Sequence, residues 1–221
     1  MSPRPCAVVL AAPSGTGKTT LAHRLVGQSA DYVFSISATT RSPRTGEVDG
    51  VDYHFVDRAG FEGMIAAGEL VEWAEVHGNL YGTPRAELER AAARGEHVVL
   101  DIDVQGARQI KQRMPSAKLI FLLPPDVETL MGRLTGRGTE DSAALARRLH
   151  SALEELQVVE EFDYVVINDD LDRCLETIRG IVSGKVEMDG SDTALQSARA
   201  LRREIGRILE EDYSEYTNAK Q

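Results

Sequence analysis

Ala12-Pro13-Ser14-Gly15-Thr16-Gly17-Lys18-Thr19 sets two glycines, a lysine and a hydroxyl at a spacing that can wrap one anion. Gly15 and Gly17 let the backbone curl so that several N–H groups converge on one point. Lys18 can reach the β- and γ-phosphates of a nucleotide, and the Thr19 hydroxyl can ligate Mg²⁺. Against the pattern G-x-x-x-x-G-K-[ST], the first position carries Ala12 in place of glycine, which asks for a negative φ there. The bland alternative is a surface turn that happens to carry Gly-Lys-Thr. The flanks argue against it. Cys6–Ala11 is apolar and predicts a buried strand, and Thr20–Val26 predicts the first turns of a helix, so the helix N-terminus faces the anion.

Further groups of the same chemistry follow. His97–Asp103 predicts an apolar strand that ends in Asp101 and Asp103. An acid at such a place can orient Mg²⁺ or its water, although many strands end in Asp at a turn. Ser37–Arg44 places hydroxyls before two guanidinium groups, Arg41 and Arg44. A guanidinium is a planar fork that matches phosphate oxygens, and two forks can hold the dianion of a nucleoside monophosphate. A solvated basic loop is the bland alternative. A second basic region carries Arg133, Arg137, Arg147 and Arg148.

These groups must be positioned by alternating strands and helices, the pattern of a parallel sheet with helices on both faces. Strands are predicted at Ala7–Ala11, Val33–Ile36, His97–Ile102, Leu119–Leu123 and Tyr164–Ile167. Helices are predicted at Lys18–Gly27, Gln105–Arg113, Val127–Leu134 and Leu171–Val182. Two stretches break the rhythm. Residues 37–83 predict a small inserted α+β module with a helix near Phe61–Ala67, and Trp73 is expected to anchor its core. Residues 136–156 predict a helical lid hinged by Gly136 and Gly138. The domain reading is therefore a core of 1–36 and 84–185, the inserted module, the lid within the core, and a helical extension at 186–221. In that extension Leu195, Ala198, Leu201, Ile205, Ile208 and Leu209 share one face. The face suits packing on its own domain or, in the sharper reading, a homo-oligomer contact.

Composition bounds the rest. At 221 residues and 42% hydrophobic content the chain is long enough for an α/β domain with a core. A net charge of −10 argues against nucleic-acid coating, and no apolar run approaches the ~20 residues that span a bilayer. Cys6 and Cys174 lack metal spacing and point to a reducing, cytoplasmic location. His23 is read as a surface residue. His54 and His77 have no partner at metal spacing.

The motifs combine in order. After the phosphate loop come Ser-x-Thr-Thr-Arg-x-x-Arg, Gly46–Phe55, Glu72-Trp73-Ala74, Gly78–Thr83, Asp101–Gly106, Gly136–Thr139 and Val166–Asp170. From about Pro5 to about Lys185 the chain resembles guanylate kinase, a nucleoside monophosphate kinase of the P-loop superfamily. The resemblance implies an ATP:GMP phosphotransferase of purine metabolism, with the P-loop NTPase-type sheet, the inserted module binding GMP, and Mg²⁺ accompanying ATP.

It also implies residue roles. Ala12, Pro13, Ser14, Gly15, Thr16, Gly17, Lys18, Thr19 and Thr20 would bind ATP, with Arg133, Asn168 and Asp169 on the donor side. For Asn168 and Asp169 the backbone is expected to matter more than the side chains. Ser37, Arg41, Arg44, Tyr53 and Tyr81 would hold the GMP phosphate, and Glu72, Thr83 and Asp103 would read the base. The alternative for the two tyrosines is a place in the core. Lys18, Arg44, Arg137 and Arg148 would stabilise the transferring phosphoryl group. Thr19 and, through water, Asp101 would hold the metal. Closure of module and lid would exclude water. A non-catalytic guanylate-kinase-like interaction module is the rival class, and a kinase for another monophosphate is a third; the use of dGMP stays open.

Overall fold

The structure is a computed structural model and describes residues 4–76, 78–135, 142–186 and 191–217. In chain order the elements begin with β1 (Ala7–Ala11), α1 (Lys18–Gly27), β2 (Tyr32–Phe34), β3 (Ala38–Thr39), β4 (His54–Phe55), α2 (Arg58–Ala66), β5 (Leu70–Val76) and β6 (Asn79–Pro84). They continue with α3 (Arg85–Arg94), β7 (His97–Asp101), α4 (Val104–Arg113), β8 (Lys118–Leu123), α5 (Val127–Thr135) and α6 (Ser142–Gln157). A 3₁₀ turn at Val159–Glu161, β9 (Tyr164–Ile167), α7 (Leu171–Val182), α8 (Ser191–Asp212) and α9 (Ser214–Thr217) complete the order. The fold is mixed α/β, with a parallel central sheet and helices.

Packing divides the chain into two units: residues up to Val9 with Ala22–Lys118, and Leu10–Leu21 with the residues from Leu119 onward. In the first unit the strand order is β2-β7-β1. β2 and β7 run parallel, with Val33 opposite Val98. A second sheet has the order β4-β3-β6-β5. It packs Ala38, Leu70 and Leu80 on Phe61 of α2, with Val56, Met64 and Ile65 alongside. Asp57 starts α2 by accepting the Gly60 N–H at 2.7 Å, which satisfies one orphan donor of the helix.

Two sequence expectations change in this unit. α3 was not predicted. Its stop signal is visible in retrospect, since Gly95 ends it in the left-handed region at φ 72°. Trp73 does not anchor the core, because the residue is 38% exposed. Side chains alternate along a strand, and Glu72 and Ala74 are buried, so Trp73 between them faces out. The register shifts between Leu70 and Glu72, where Leu70 pairs with Pro84 and Glu72 with Thr83. This irregularity lets Val71 and Glu72 both turn inward.

In the second unit β1 lies beside β8 and β8 beside β9, the last two parallel, with Phe121 opposite Val165. β8 is buried from Leu119 to Leu123, as a strand covered on both faces must be. Asp170 caps α7 through the Arg173 N–H at 2.9 Å. On α8, Ala194, Ala198, Leu201, Ile205 and Leu209 are buried, in contact with α6 and β9. The apolar stripe of the extension is thus covered within its own unit. No described helix is long and apolar enough to cross a membrane.

Candidate functional site

The second unit carries the phosphate loop. Its turn closes with the Thr16 N–H donating to the Pro13 carbonyl at 3.1 Å. Gly15 and Gly17 sit at φ 86° and 94°, where a β-carbon is strained. Space closes the same positions: a methyl group on Gly17 would lie 3.1 Å from Asn168 Nδ2, and one on Gly15 would lie 3.1 Å from Leu134 Cδ2. Lys18 opens α1, so the positive end of the helix dipole and the lysine share one place.

Side chains from the far end of the chain brace this loop. Asn168 is buried, and its Nδ2 donates to the Thr16 carbonyl at 2.8 Å. Arg133 Nη1 donates to the same oxygen at 2.9 Å. A peptide is planar and trans, so a carbonyl held from behind turns the next N–H, that of Gly17, the opposite way. Sequence reasoning placed Asn168 on the donor side through its backbone; the structure adds that its side chain holds the loop carbonyl. Arg148 Nη2 donates to Ser14 Oγ at 3.0 Å and its Nη1 to the Leu134 carbonyl at 3.0 Å. Asp169 lies at the surface with Arg173 Nη1 3.3 Å away.

The first unit carries the second cluster. Arg41 Nη1 and Nη2 donate to the two oxygens of Glu47, each at 2.9 Å. The Arg44 N–H donates to Glu47 Oε2 at 2.7 Å, while the Arg44 side chain is exposed. Hydrogen bonds from Arg41 and the Arg44 backbone hold the Glu47 carboxyl below its usual range, and Glu47 in turn raises the pKa of Arg41. The Arg41 guanidinium lies over Tyr53, 5.3 Å from the ring centre, and over Phe55 at 5.8 Å. Tyr53 and Tyr81 meet edge to face at 6.1 Å, both half-buried. The structure therefore brings Arg41, Tyr53 and Tyr81 together around one cation. Glu47 is the member that sequence reasoning missed, although it stood in the quoted Gly46–Phe55 motif. Ser37 is half-buried, with its carbonyl accepting the His54 N–H at 2.9 Å.

Glu72 is 3% exposed. The fully buried Thr83 hydroxyl donates to its Oε1 at 2.6 Å. Burial pushes the Glu72 carboxyl up to about 7; the Thr83 bond opposes the rise, and the charge of Asp103 adds to it. Asp103 caps α4, its Oδ1 accepting the Gly106 N–H at 2.8 Å. Asp101 ends β7, half-buried.

A Mg²⁺ ion bound with a nucleotide keeps waters and phosphate oxygens and needs few protein ligands. Thr19 and Asp101 are hard oxygen donors that suit it. No group of three or more His, Cys, Asp or Glu that could hold a metal is found among the described residues. The Thr19 hydroxyl and the Asp101 carboxylate are each, taken singly, of the donor type that such an ion takes.

His23 is exposed and stacks on Phe34 at 4.9 Å. His54 Nε2 faces Glu87 at 3.3 Å. Burial raises the Cys6 thiol and pushes Cys174 up to about 12, so neither is an activated nucleophile. Arg137, the glycines at 136 and 138, and His77 lie outside the described residues.

Residues 4–185 match the family model described as guanylate kinase. The guanylate kinase of Synechocystis sp. is 53% identical over 171 residues, covering 77% of this chain and 90% of the relative. That of Nocardia farcinica is 50% identical over 173 residues, covering 77% and 90%. The crystal structure of guanylate kinase from Anaplasma phagocytophilum superposes with a TM-score of 0.68 at 33% identity, over 89% of this chain and 96% of that one. Phosphate loop, arginine–tyrosine cluster and buried carboxyl all fall inside the matched span, and this chain belongs to the guanylate kinase family.

Proposed function

We propose that the chain transfers the γ-phosphoryl group of ATP to GMP, giving GDP and ADP. The observation that carries this reading is the buried Glu72 carboxyl held by Thr83. Guanine presents two donors on one edge, N1–H and the 2-amino group, and an ionised carboxylate accepts both. Adenine offers an acceptor at N1 and has no 2-amino group. It would leave a buried carboxylate unpaired, at a cost of roughly 1–3 kcal/mol or more.

Arg41, Arg44, Ser37, Tyr53 and Tyr81 hold the acceptor phosphate in this reading, and Asp103 stands beside the base reader. Residues 12–20 hold the ATP phosphates, while Arg133 and Asn168 keep the loop in shape, with Asp169 at its flank. A GMP phosphate oxygen attacks the γ-phosphorus, the bond to the β,γ-bridging oxygen breaks, and ADP leaves. No covalent intermediate or protein base is needed, because the acceptor oxygen is already anionic. Lys18, Arg44, Arg137 and Arg148 supply positive charge to the phosphoryl group in flight. When bound through Thr19 and, by water, Asp101, Mg²⁺ supplies further neutralisation of the β- and γ-phosphates.

The domain roles go with this reading: a core of 1–36 and 84–185, a GMP module at 37–83, a lid at 136–156 and an extension at 186–221. A cytoplasmic location suits its free thiols. A homo-oligomer through the extension would have to use surface other than the buried stripe of α8.

A coupled assay of ADP production at fixed MgATP, over GMP, dGMP, AMP and UMP, tests the proposal. Turnover confined to guanine acceptors is expected. No GMP-dependent turnover would return the chain to the interaction-module class, and comparable rates with AMP or UMP would overturn the assignment of Glu72.

A further inference from the structure

Gly106 is the third residue of α4 and is buried. Helix propensity favours alanine at such a place. Backbone conformation gives no reason for glycine, since Gly106 is not among the positive-φ glycines. The reason is space. A methyl group on Gly106 would overlap Glu72 Oε2, and would lie 3.0 Å from Glu72 Cδ and 3.3 Å from Ile102 Cδ1. On its other oxygen Glu72 takes the Thr83 hydroxyl at 2.6 Å. The carboxyl is therefore clamped between a hydroxyl and a bare α-carbon.

The geometry points to Gly106 as a specificity-determining, positioning residue: its missing side chain is the room in which the Glu72 carboxyl takes the orientation that reads guanine. The inference rests on Glu72 reading the base as proposed above. The atoms in the way of a methyl group belong to the end of a side chain, not to backbone, so the folded chain accommodates the methyl by swinging the carboxyl. That swing turns the oxygens away from the guanine donors or breaks the Thr83 bond. The cost falls on recognition and not on folding. Gly82 is the contrast. A methyl there would meet the Glu72 backbone oxygen at 2.9 Å and Phe61 Cζ at 3.1 Å, neither of which can swing aside.

Steady-state kinetics and thermal melting of the full chain test this. Gly106→Ala is expected to raise the KM for GMP by about 30-fold or more, to leave the KM for ATP within about twofold, and not to lower the melting temperature. Gly82→Ala is expected to lower the melting temperature. Glu72→Asp shortens the side chain by one methylene. It should weaken GMP strongly in the natural chain and by less than about threefold in the Gly106→Ala background, because there the carboxyl is already displaced. An unchanged KM for GMP in Gly106→Ala, with Glu72→Gln losing guanine selectivity, overturns the role of Gly106 alone. Equal losses for GMP and ATP with a lowered melting temperature also overturn it, as a folding defect. Guanine selectivity that survives Glu72→Gln overturns the reading of Glu72 and this inference with it.

Discussion

The side-chain amide of Asn168 donates to the main-chain carbonyl of Thr16 at 2.8 Å, joining residues 152 positions apart. Arg133 shares that acceptor, so the loop carbonyl has two anchors. Asn168→Ala removes one and should raise the KM for ATP roughly tenfold, in line with about 1–1.5 kcal/mol for one buried hydrogen bond. The KM for GMP should change much less. Asn168→Asp should be worse than alanine, since it adds an acceptor where a donor is needed and a negative charge beside phosphates. Combining Asn168→Ala with Arg133→Ala should cost more than the sum of the two, because each compensates for the other. Additive effects in ATP kinetics would show that the shared carbonyl is not the point of coupling.

Arg148 spans Ser14 and the Leu134 carbonyl with its two terminal nitrogens. Lysine has a single nitrogen and cannot make both bonds at once. Arg148→Lys should therefore lower kcat by about 10²-fold or more, with a smaller change in either KM, as for a group acting on the transferring charge. Ser14→Ala should lower kcat less than about threefold, since the hydroxyl only steadies the guanidinium. A lysine variant with normal kcat would remove Arg148 from the phosphoryl-transfer machinery.

Glu47 holds both terminal nitrogens of Arg41 and the N–H of Arg44. Its carboxyl is held below the usual range, so the pair stays ionised at neutral pH. Glu47→Ala frees the Arg41 fork to rotate and should raise the KM for GMP about tenfold with kcat nearly unchanged. Arg41→Lys should be more damaging, because a point charge cannot make the paired bonds. A lower KM for GMP in Glu47→Ala would reverse the argument, marking Glu47 as a competitor for the phosphate and not its organiser.

The Glu72 carboxyl, raised to about 7, titrates in the working range. In the proposed reading guanine needs the ionised form, so the KM for GMP should rise as pH falls below about 7, approaching tenfold per pH unit, while the KM for ATP stays flat. Stability runs the other way. The folded-state pKa lies above the unfolded value, so this group's contribution is complete below about pH 4.5 and is lost as pH rises through 7. The loss amounts to about 3 kcal/mol. Glu72→Gln should melt higher than the natural chain at pH 8, and the gap should close towards pH 5. Melting curves at the two pH values check the sign.

Removing residues 187–221 uncovers the surface under Ala194, Ala198, Leu201, Ile205 and Leu209 of α8. Loss of such burial should lower the melting temperature by several degrees and favour aggregation. Light scattering should show the full chain unaltered in mass when charged residues on the outer side of α8, such as Arg202 and Arg203, are replaced. A drop in mass would instead reveal an oligomer built on that outer face.

The phosphate loop was legible because its residues are neighbours in the chain. Spacing, flanking strand and helix start all lie within Ala7–Gly27, and the glycine torsions follow from local sterics. β1, α1, β9 and α7 fall at their predicted bounds, since apolar period and capping residues act locally. The family was legible too, because its motifs are linear. What tertiary packing decided is the state of each side chain across distant segments. Trp73 faces out and Glu72 in, because pairing with β6 sets which face of β5 is covered. Glu72 becomes a near-neutral acid through burial that no composition reports. Gly106 stood at the end of the quoted Asp101–Gly106 motif without a role of its own, and the one proposed for it arises because β5 brings a carboxyl against its α-carbon. Periodicity speaks for a residue's own element; the field, the space and the partners at a site come from other elements, and only the folded chain brings them together.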